Sequence, residues 1–241
     1  KDFIVRQISK KVEYNKNVFR VQKESSISEQ FRFLGMESAL ILGYGKEGQA
    51  TKKYLKKYYP EIKIGIADRK QGVDYLKNIK KYDIVIKTPG MPKEKLANVL
   101  YTTATNIFLS SVLGKNTIIG VTGSKGKSTT ASLIFEILKT AGKNVKLLGN
   151  IGKPMLEVLY KSNTKHQTPN TYYVLELSSY QLDDIKFSPD IAVVTSLFPE
   201  HMDYHSGVKN YYNAKKNIIN FQNSNNYFVY NPDNKEMTSW V

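Results

Sequence analysis

A chain of 241 residues that is 41% hydrophobic and 24% charged has the composition of a folded globular protein, with room for two ordinary domains that each bury a core. It has no cysteine, which excludes disulfides, zinc–thiolate centres and thiol nucleophiles; no apolar run reaches the roughly 18 residues of a membrane helix, and KDFIVRQISKK at the start lacks a signal peptide's apolar middle, so a cytoplasmic location away from membranes is expected. The formal net charge of +15 comes from lysines dispersed as in KKYLKKYY, KNIKK and AKKN, and Arg6, Arg20, Arg32 and Arg69 form no cluster, so the surface suits anionic small molecules rather than nucleic acid.

Residues 1–36 mix charged and apolar side chains without a clear period and form an extension with no assignment. From Glu37 the pattern sharpens. ESALILGYG reads as a strand running into glycines, QATKKYLKKYY as a helix, IKIGIAD as a second strand and KKYDIVIKTPG as a third that ends at Pro89. This is βαβ order, with loops at the carboxyl ends of parallel strands, and a Rossmann-like domain is expected over residues 37–103.

A second domain is expected over residues 104–241. TNIFLSSVL reads as a helix, NTIIGVTG as a strand, and KSTTASLIFEILKTAGK as a helix with apolar residues at Leu133, Ile134, Ile137 and Leu138 and a stop at Gly142. NVKLLG, TYYVLELSS and DIAVVTSL are buried-strand candidates, VKNYYNAKKNIINF a further helix, and NYFVYN a last strand. The fold class is α/β: a Rossmann-like domain followed by an incomplete P-loop-type domain with a mostly parallel sheet.

Two glycine turns carry the chemistry. Gly43, Gly45 and Gly48 form G-x-G-x-x-G between strand and helix, with Asp68 at the end of the next strand. Glycines let the backbone approach a diphosphate, the helix N-terminus favours its charge, and the acid can bind a ribose hydroxyl. Read alone, the turn suggests a dinucleotide such as NAD. The second turn departs from G-x-x-x-x-G-K-[ST] because Val121 stands where the first glycine would be, leaving G-x-x-G-K-S from Gly123 to Ser128. Its backbone N–H groups can surround phosphate oxygens, Lys127 can neutralise the β/γ-phosphates, and Ser128 can ligate Mg²⁺.

GVTGSKGKST, LLGNIG, LELSSYQL, PEHMDYH and YYNAKK, in that order, resemble the Mur ligases of peptidoglycan synthesis. The turn at Gly43, the acid Asp68 and TPGMP from Thr88 to Pro92 extend the likeness from about Ala39 to Pro232. ELSSYQL resembles the branch that adds D-glutamate to UDP-N-acetylmuramoyl-L-alanine. The resemblance implies that ATP phosphorylates a carboxylate and that an incoming amine attacks the acyl phosphate, with ATP and Mg²⁺ required, UDP-N-acetylmuramoyl-L-alanine and glutamate as substrates, and a monomer as the working form. Gly43, Gly45, Gly48, Asp68, Thr88, Pro89 and Gly90 would then hold the uridine diphosphate rather than NAD, and Gly123, Ser124, Lys125, Gly126, Lys127, Ser128 and Thr129 the ATP.

By the same resemblance Lys127, His201 and Lys215 are catalytic, and Ser128, Glu176, His201 and Lys215 serve the metal. Lys215 would do so as a carbamate, because an ammonium repels Mg²⁺. It is placed by Tyr211 and Ala214 in Y-x-x-A-K, with Lys216 as the competing alignment. Asn150 and Ser178 would touch the acyl substrate. Glu200 stands where Asp is usual, and Ser196 where Asn is common. The family continues past NPDN with more of the ATPase domain and a third domain, so this chain is expected to be a piece of a ligase, with a binding fragment or pseudoenzyme, a ligase for another amino acid and a nicotinamide-dependent protein as rivals.

Overall fold

The computed structural model describes residues 4–7, 36–91, 93–161 and 170–241. Most of the unassigned N-terminal stretch, and Pro92 of TPGMP, lie outside the described residues. In chain order the first elements are β1 (Ile4–Gln7), β2 (Ser38–Leu42), α1 (Lys46–Tyr58), β3 (Lys63–Ala67), β4 (Ile84–Lys87), β5 (Tyr101–Thr103) and α2 (Ala104–Val112). They are followed by β6 (Thr117–Thr122), α3 (Lys127–Thr140), β7 (Val145–Gly149), α4 (Met155–Lys161), β8 (Tyr172–Glu176) and α5 (Ser179–Leu182). The last are β9 (Ile191–Val194), α6 (Met202–His205), α7 (Val208–Lys216), β10 (Tyr227–Tyr230) and α8 (Lys235–Thr238). Among the described residues no helix is long and apolar enough to cross a membrane.

The described chain divides into two compact units: residues 36–111 with 154–161, and residues 4–7, 112–153 and 170–241. Nearly all of α2, and α4, therefore belong with the first sheet, where Tyr58 Oη and Lys57 Nζ of α1 donate to the Leu159 and Tyr160 carbonyls of α4 at 2.7 and 2.6 Å.

The first unit is a four-stranded parallel sheet in the order β3-β2-β4-β5. In β2 Ala39, Leu40, Ile41 and Leu42 are all buried, the continuous apolar run of a parallel strand covered on both faces. Leu42 lies opposite Ala67 on one side and Lys87 on the other. Gly43, Asp68 and Thr88, each the next residue along, thus leave the sheet side by side at its carboxyl edge, where strand order reverses and ligands of open α/β sheets bind. α1 stops before Pro60, which cannot donate to the helix ladder.

The second unit has sheet order β1-β10-β9-β6-β8-β7, parallel except for the edge strand β1. Ala131, Ile134, Phe135 and Leu138 of α3 pack on Val121, Val174 and Val193. Of the four apolar positions noted on this helix, Ile134 and Leu138 face the sheet while Leu133 and Ile137 face outward, 59% and 58% exposed, and Ala131 and Phe135 complete the inward 3.6-residue stripe. Val121 pairs with Glu176 of β8 and Val193 of β9, so the glycine turn after β6 emerges between the ends of those two strands.

Candidate functional site

The turn after β6 is short and fully braced. Gly126 caps α3 in the left-handed conformation at φ 84°, which glycine adopts without a Cβ penalty. From the segment after β9, Ser196 Oγ accepts from Lys125 N at 2.8 Å and donates to Lys125 O at 2.9 Å, the Ser196 carbonyl accepts from Ser124 N at 2.9 Å, and Thr195 Oγ1 donates to Lys125 O at 2.6 Å. Ser124 Oγ donates to the Phe198 carbonyl at 2.6 Å and accepts from Phe198 N at 3.0 Å. Its one proton being used, the Tyr211 hydroxyl at 3.0 Å donates to it. Gly123 and Ser124 face the protein, while Lys125, Gly126, Ser128 and Thr129 are exposed at the mouth. The free N–H groups of the first turn of α3 and the positive end of its dipole therefore face solvent, an arrangement that receives anions.

Two cations converge on this turn. Lys127 Nζ donates to the carbonyls of Gly123 at 2.9 Å and Ser124 at 2.8 Å. Lys215 Nζ donates to the same Gly123 carbonyl at 2.8 Å and lies 3.5 Å from Thr122 Oγ1. Lys215 is 1% exposed and its Nζ lies 4.8 Å from the centre of the Tyr211 ring, one helical turn away. Burial first, and the neighbouring Lys127 charge second, push Lys215 down to about 7, against a smaller opposite pull from Glu200. Lys216 is partly exposed; of the two lysines in the Y-x-x-A-K alignment, Lys215 is the one whose ammonium reaches the turn.

Glu176 ends β8 and is 1% exposed. Its Oε1 accepts from Asn150 Nδ2 at 3.0 Å, and the Asn150 N–H donates to the Glu176 carbonyl at 3.0 Å. Oε2 is sealed from solvent and accepts no hydrogen bond. A buried carboxylate oxygen without a donor is costly unless a cation takes it. Among the described residues no three His, Cys, Asp or Glu side chains cluster. A cation at Glu176 would complete its shell with hydroxyl, water and phosphate oxygens, a set that fits Mg²⁺ better than a transition metal.

His201 caps α6 in the left-handed region, φ 56° and ψ 40°, and its exposed ring lies 5.1 Å from Tyr180 and 6.3 Å from Tyr211. Beneath it His205 is buried, with Nε2 2.9 Å from Ser179 Oγ and its ring stacked on Tyr180. Glu200 Oε1 pairs with Lys125 Nζ at 3.0 Å. Partial burial opposes the Glu200 charge, but Lys125, Lys127 and His201 together hold its carboxyl below the usual range. Ser178 is engaged in its own chain: its Oγ caps α5 by accepting from Gln181 N at 3.3 Å and donates to Gln181 Oε1 at 3.1 Å.

In the first unit, considered by itself, Asp68 joins strand ends rather than standing apart. Its Oδ2 accepts from Tyr44 N at 2.6 Å and its Oδ1 from Lys70 N at 3.0 Å. The Lys70 and Tyr44 amides hold the carboxyl low. Thr88 Oγ1 donates to the Leu42 carbonyl at 2.9 Å, and Arg69 Nη2 to the Gly90 carbonyl at 3.2 Å beyond a partly exposed Pro89. A Cβ on Gly48 would collide with the Gly43 carbonyl oxygen, whereas one on Gly45 would meet nothing within 4 Å. Gly48 thus lets helix and strand approach closely, and Gly45 leaves the mouth of the turn open.

In the sequence Ser196 and Glu200 stand out only as departures from a pattern. In the structure Ser196 bridges both backbone polar groups of Lys125, and Glu200 links the turn to the His201 segment. Thr195, which donates to Lys125 O, carried no motif signal, and Tyr211 served only as an alignment mark.

The fold and this glycine turn define an α/β protein with a P-loop-type turn, and the comparisons narrow it: the chain belongs to the Mur ligase family, the profile of the Mur ligase middle domain matching residues 121–241. It is 40% identical over 171 residues to the UDP-N-acetylmuramoylalanine--D-glutamate ligase of Clostridium acetobutylicum, covering 68% of this chain and 36% of that protein. The ligase of the same name from Clostridium tetani is 34% identical over 233 residues, covering 94% of this chain and 49% of its own length. The chain therefore spans half or less of these curated relatives. Among solved structures, UDP-N-acetylmuramate:L-alanyl-gamma-D-glutamyl-meso-diaminopimelate ligase from Neisseria meningitides has a similar fold, with a TM-score of 0.54 at 17% identity over 85% of this chain and 74% of that one.

Proposed function

We propose that this chain carries the UDP-substrate and ATP-phosphate sites of a cytoplasmic, ATP-dependent ligase that joins D-glutamate to UDP-N-acetylmuramoyl-L-alanine. The observation that carries the reading is the convergence of Lys127 and Lys215 on Gly123, in a turn beside Glu176 with its unpartnered Oε2. ATP and a carboxylate substrate are both anions, so a site that brings them together must supply positive charge and fixed N–H dipoles. The amides at the start of α3 and Lys127 would take the β/γ-phosphates, with Lys127 leaving its two carbonyls for phosphate oxygens. Ser128, Glu176 and the His201 segment would hold Mg²⁺, which when bound would neutralise charge building on the phosphates.

The substrate carboxylate would attack the γ-phosphorus as ADP leaves. The amine of D-glutamate would then attack the acyl carbon, losing a proton and expelling phosphate. Asn150 would orient Glu176, and Ser196 and Thr195 would keep the turn from collapsing. Lys215 would enter as a carbamate: the neutral amine adds CO₂ and loses a proton, and the resulting anion is attracted by Lys127 instead of repelled. In the first unit the turn from Gly43 to Gly48, with Asp68 and Thr88 to Gly90 at the same sheet edge, would bind the uridine diphosphate. The names of the curated relatives support the choice of D-glutamate. In the complete protein, Lys127→Ala should abolish ATP-dependent acyl phosphate formation while leaving UDP-substrate binding within about threefold; unchanged turnover would remove the phosphate assignment.

A further inference from the structure

Under the glycine turn of the first unit lies a pair of charged groups that the ATP chemistry does not use. Glu47 sits in the first turn of α1, two residues after Gly45. Lys87 ends β4, is 1% exposed, and lies opposite Leu42, the residue before Gly43. Lys87 Nζ donates to the Met91 carbonyl at 2.7 Å. Glu47 Oε1 is sealed from solvent and accepts no hydrogen bond. The positive end of a helix dipole ordinarily favours a charged acid there, yet burial prevails and pushes the Glu47 carboxyl up to about 7, with Lys87 pulling the other way. Lys87 is the charged group that acts on Glu47 from the strands. Asp68, after β3, is bound to the Tyr44 and Lys70 amides and held low, so it stays charged and adds to the negative side of the balance.

A diphosphate in this turn would face a sealed carboxylate in the same helical turn. One buried ammonium cannot balance both in a poorly solvated site, and the anion most easily neutralised is Glu47. We propose that a nucleoside diphosphate bound at Gly43–Gly48 draws one proton from solvent onto Glu47, which turns the charge of Lys87 from the carboxylate to the diphosphate. This rests on the reading of the turn as the uridine-diphosphate site, and it makes Glu47 and Lys87 determinants of affinity outside the family motifs. No covalent bond other than the carboxyl O–H forms.

The test is calorimetric titration of this chain with UDP-N-acetylmuramoyl-L-alanine, whose diphosphate diester and carboxylate do not titrate between about pH 6 and pH 9, in buffers of different ionisation enthalpy. Proton uptake should approach one per ligand above about pH 7.5, where affinity should fall up to about tenfold per pH unit. Glu47→Gln, which keeps the shape and cannot titrate, should abolish both the uptake and the slope, and Lys87→Met should weaken binding at every pH. Binding without proton uptake in the unaltered chain overturns this inference and leaves the site reading intact, as does uptake that persists in Glu47→Gln. No binding at any pH overturns both.

Discussion

Lys127 and Lys215 donate to one carbonyl oxygen, that of Gly123, at 2.9 and 2.8 Å. Two ammonium groups on one acceptor repel each other, and the more buried of them yields: burial and Lys127 together push Lys215 down to about 7. A lysine that is substantially neutral near physiological pH is a nucleophile for CO₂. Incubation of the chain with ¹³C-bicarbonate at neutral pH should give a carbamate resonance that disappears in Lys215→Arg and persists in Lys216→Arg. The same resonance in Lys215→Arg would place the modification elsewhere.

The same depressed value has a consequence for stability. The folded chain holds Lys215 near 7 and the unfolded chain near the ordinary 10.5. Between those values the unfolded state binds more protons, so stability rises with pH through that window and the penalty is complete below about 7. Lys215→Met should therefore be more stable than the parent at pH 6, by on the order of 3 kcal/mol, with the advantage shrinking towards pH 10. Urea unfolding across that range measures it; a constant difference would show that the charge is not the cause.

Glu176 Oε2 predicts a metal-linked effect. With ATP present, Mg²⁺ should raise the melting temperature of the parent chain and have little effect on Glu176→Gln. Without ligand the variant should be no less stable, since the amide keeps the shape and removes a buried charge that lacks a donor on one oxygen. A large loss of stability without ligand would assign Glu176 a structural role.

Ser196 makes two hydrogen bonds to the backbone of Lys125. Ser196→Ala should weaken ATP binding about five- to tenfold, the worth of roughly one net hydrogen bond, through a looser turn. Ser196→Thr, which keeps the hydroxyl, should recover most of it. Equal affinity in the parent and the alanine variant would mean that the turn holds its shape without this brace.

What could be read from the chain was what is local to it. The strand-to-glycine-to-helix passages at Leu42–Lys46 and Thr122–Lys127 declare themselves because one backbone segment supplies both the turn and the helix N-terminus. Glu176 was legible because the strand YYVLE carries it to the sheet edge. Lys215 was legible only through the Y-x-x-A-K likeness, since the contact that gives it meaning is with Gly123, 92 residues away. Strand β5, three residues long, and α4, which packs on α1, have too few residues to show a period. The apolar positions Leu133, Ile134, Ile137 and Leu138 were legible, but which pair faces the sheet was not, because periodicity alone does not choose between two adjacent apolar stripes.

The central claim is that the turn from Gly123 to Ser128 cradles the phosphates of ATP, and a crystal of the chain grown with a non-hydrolysable ATP analogue and Mg²⁺ tests it most directly. The triphosphate is expected on the amides of Gly126 to Thr129, with Lys127 Nζ moved from the Gly123 and Ser124 carbonyls to phosphate oxygens. A triphosphate bound elsewhere, with Lys127 still on those carbonyls, would contradict the account.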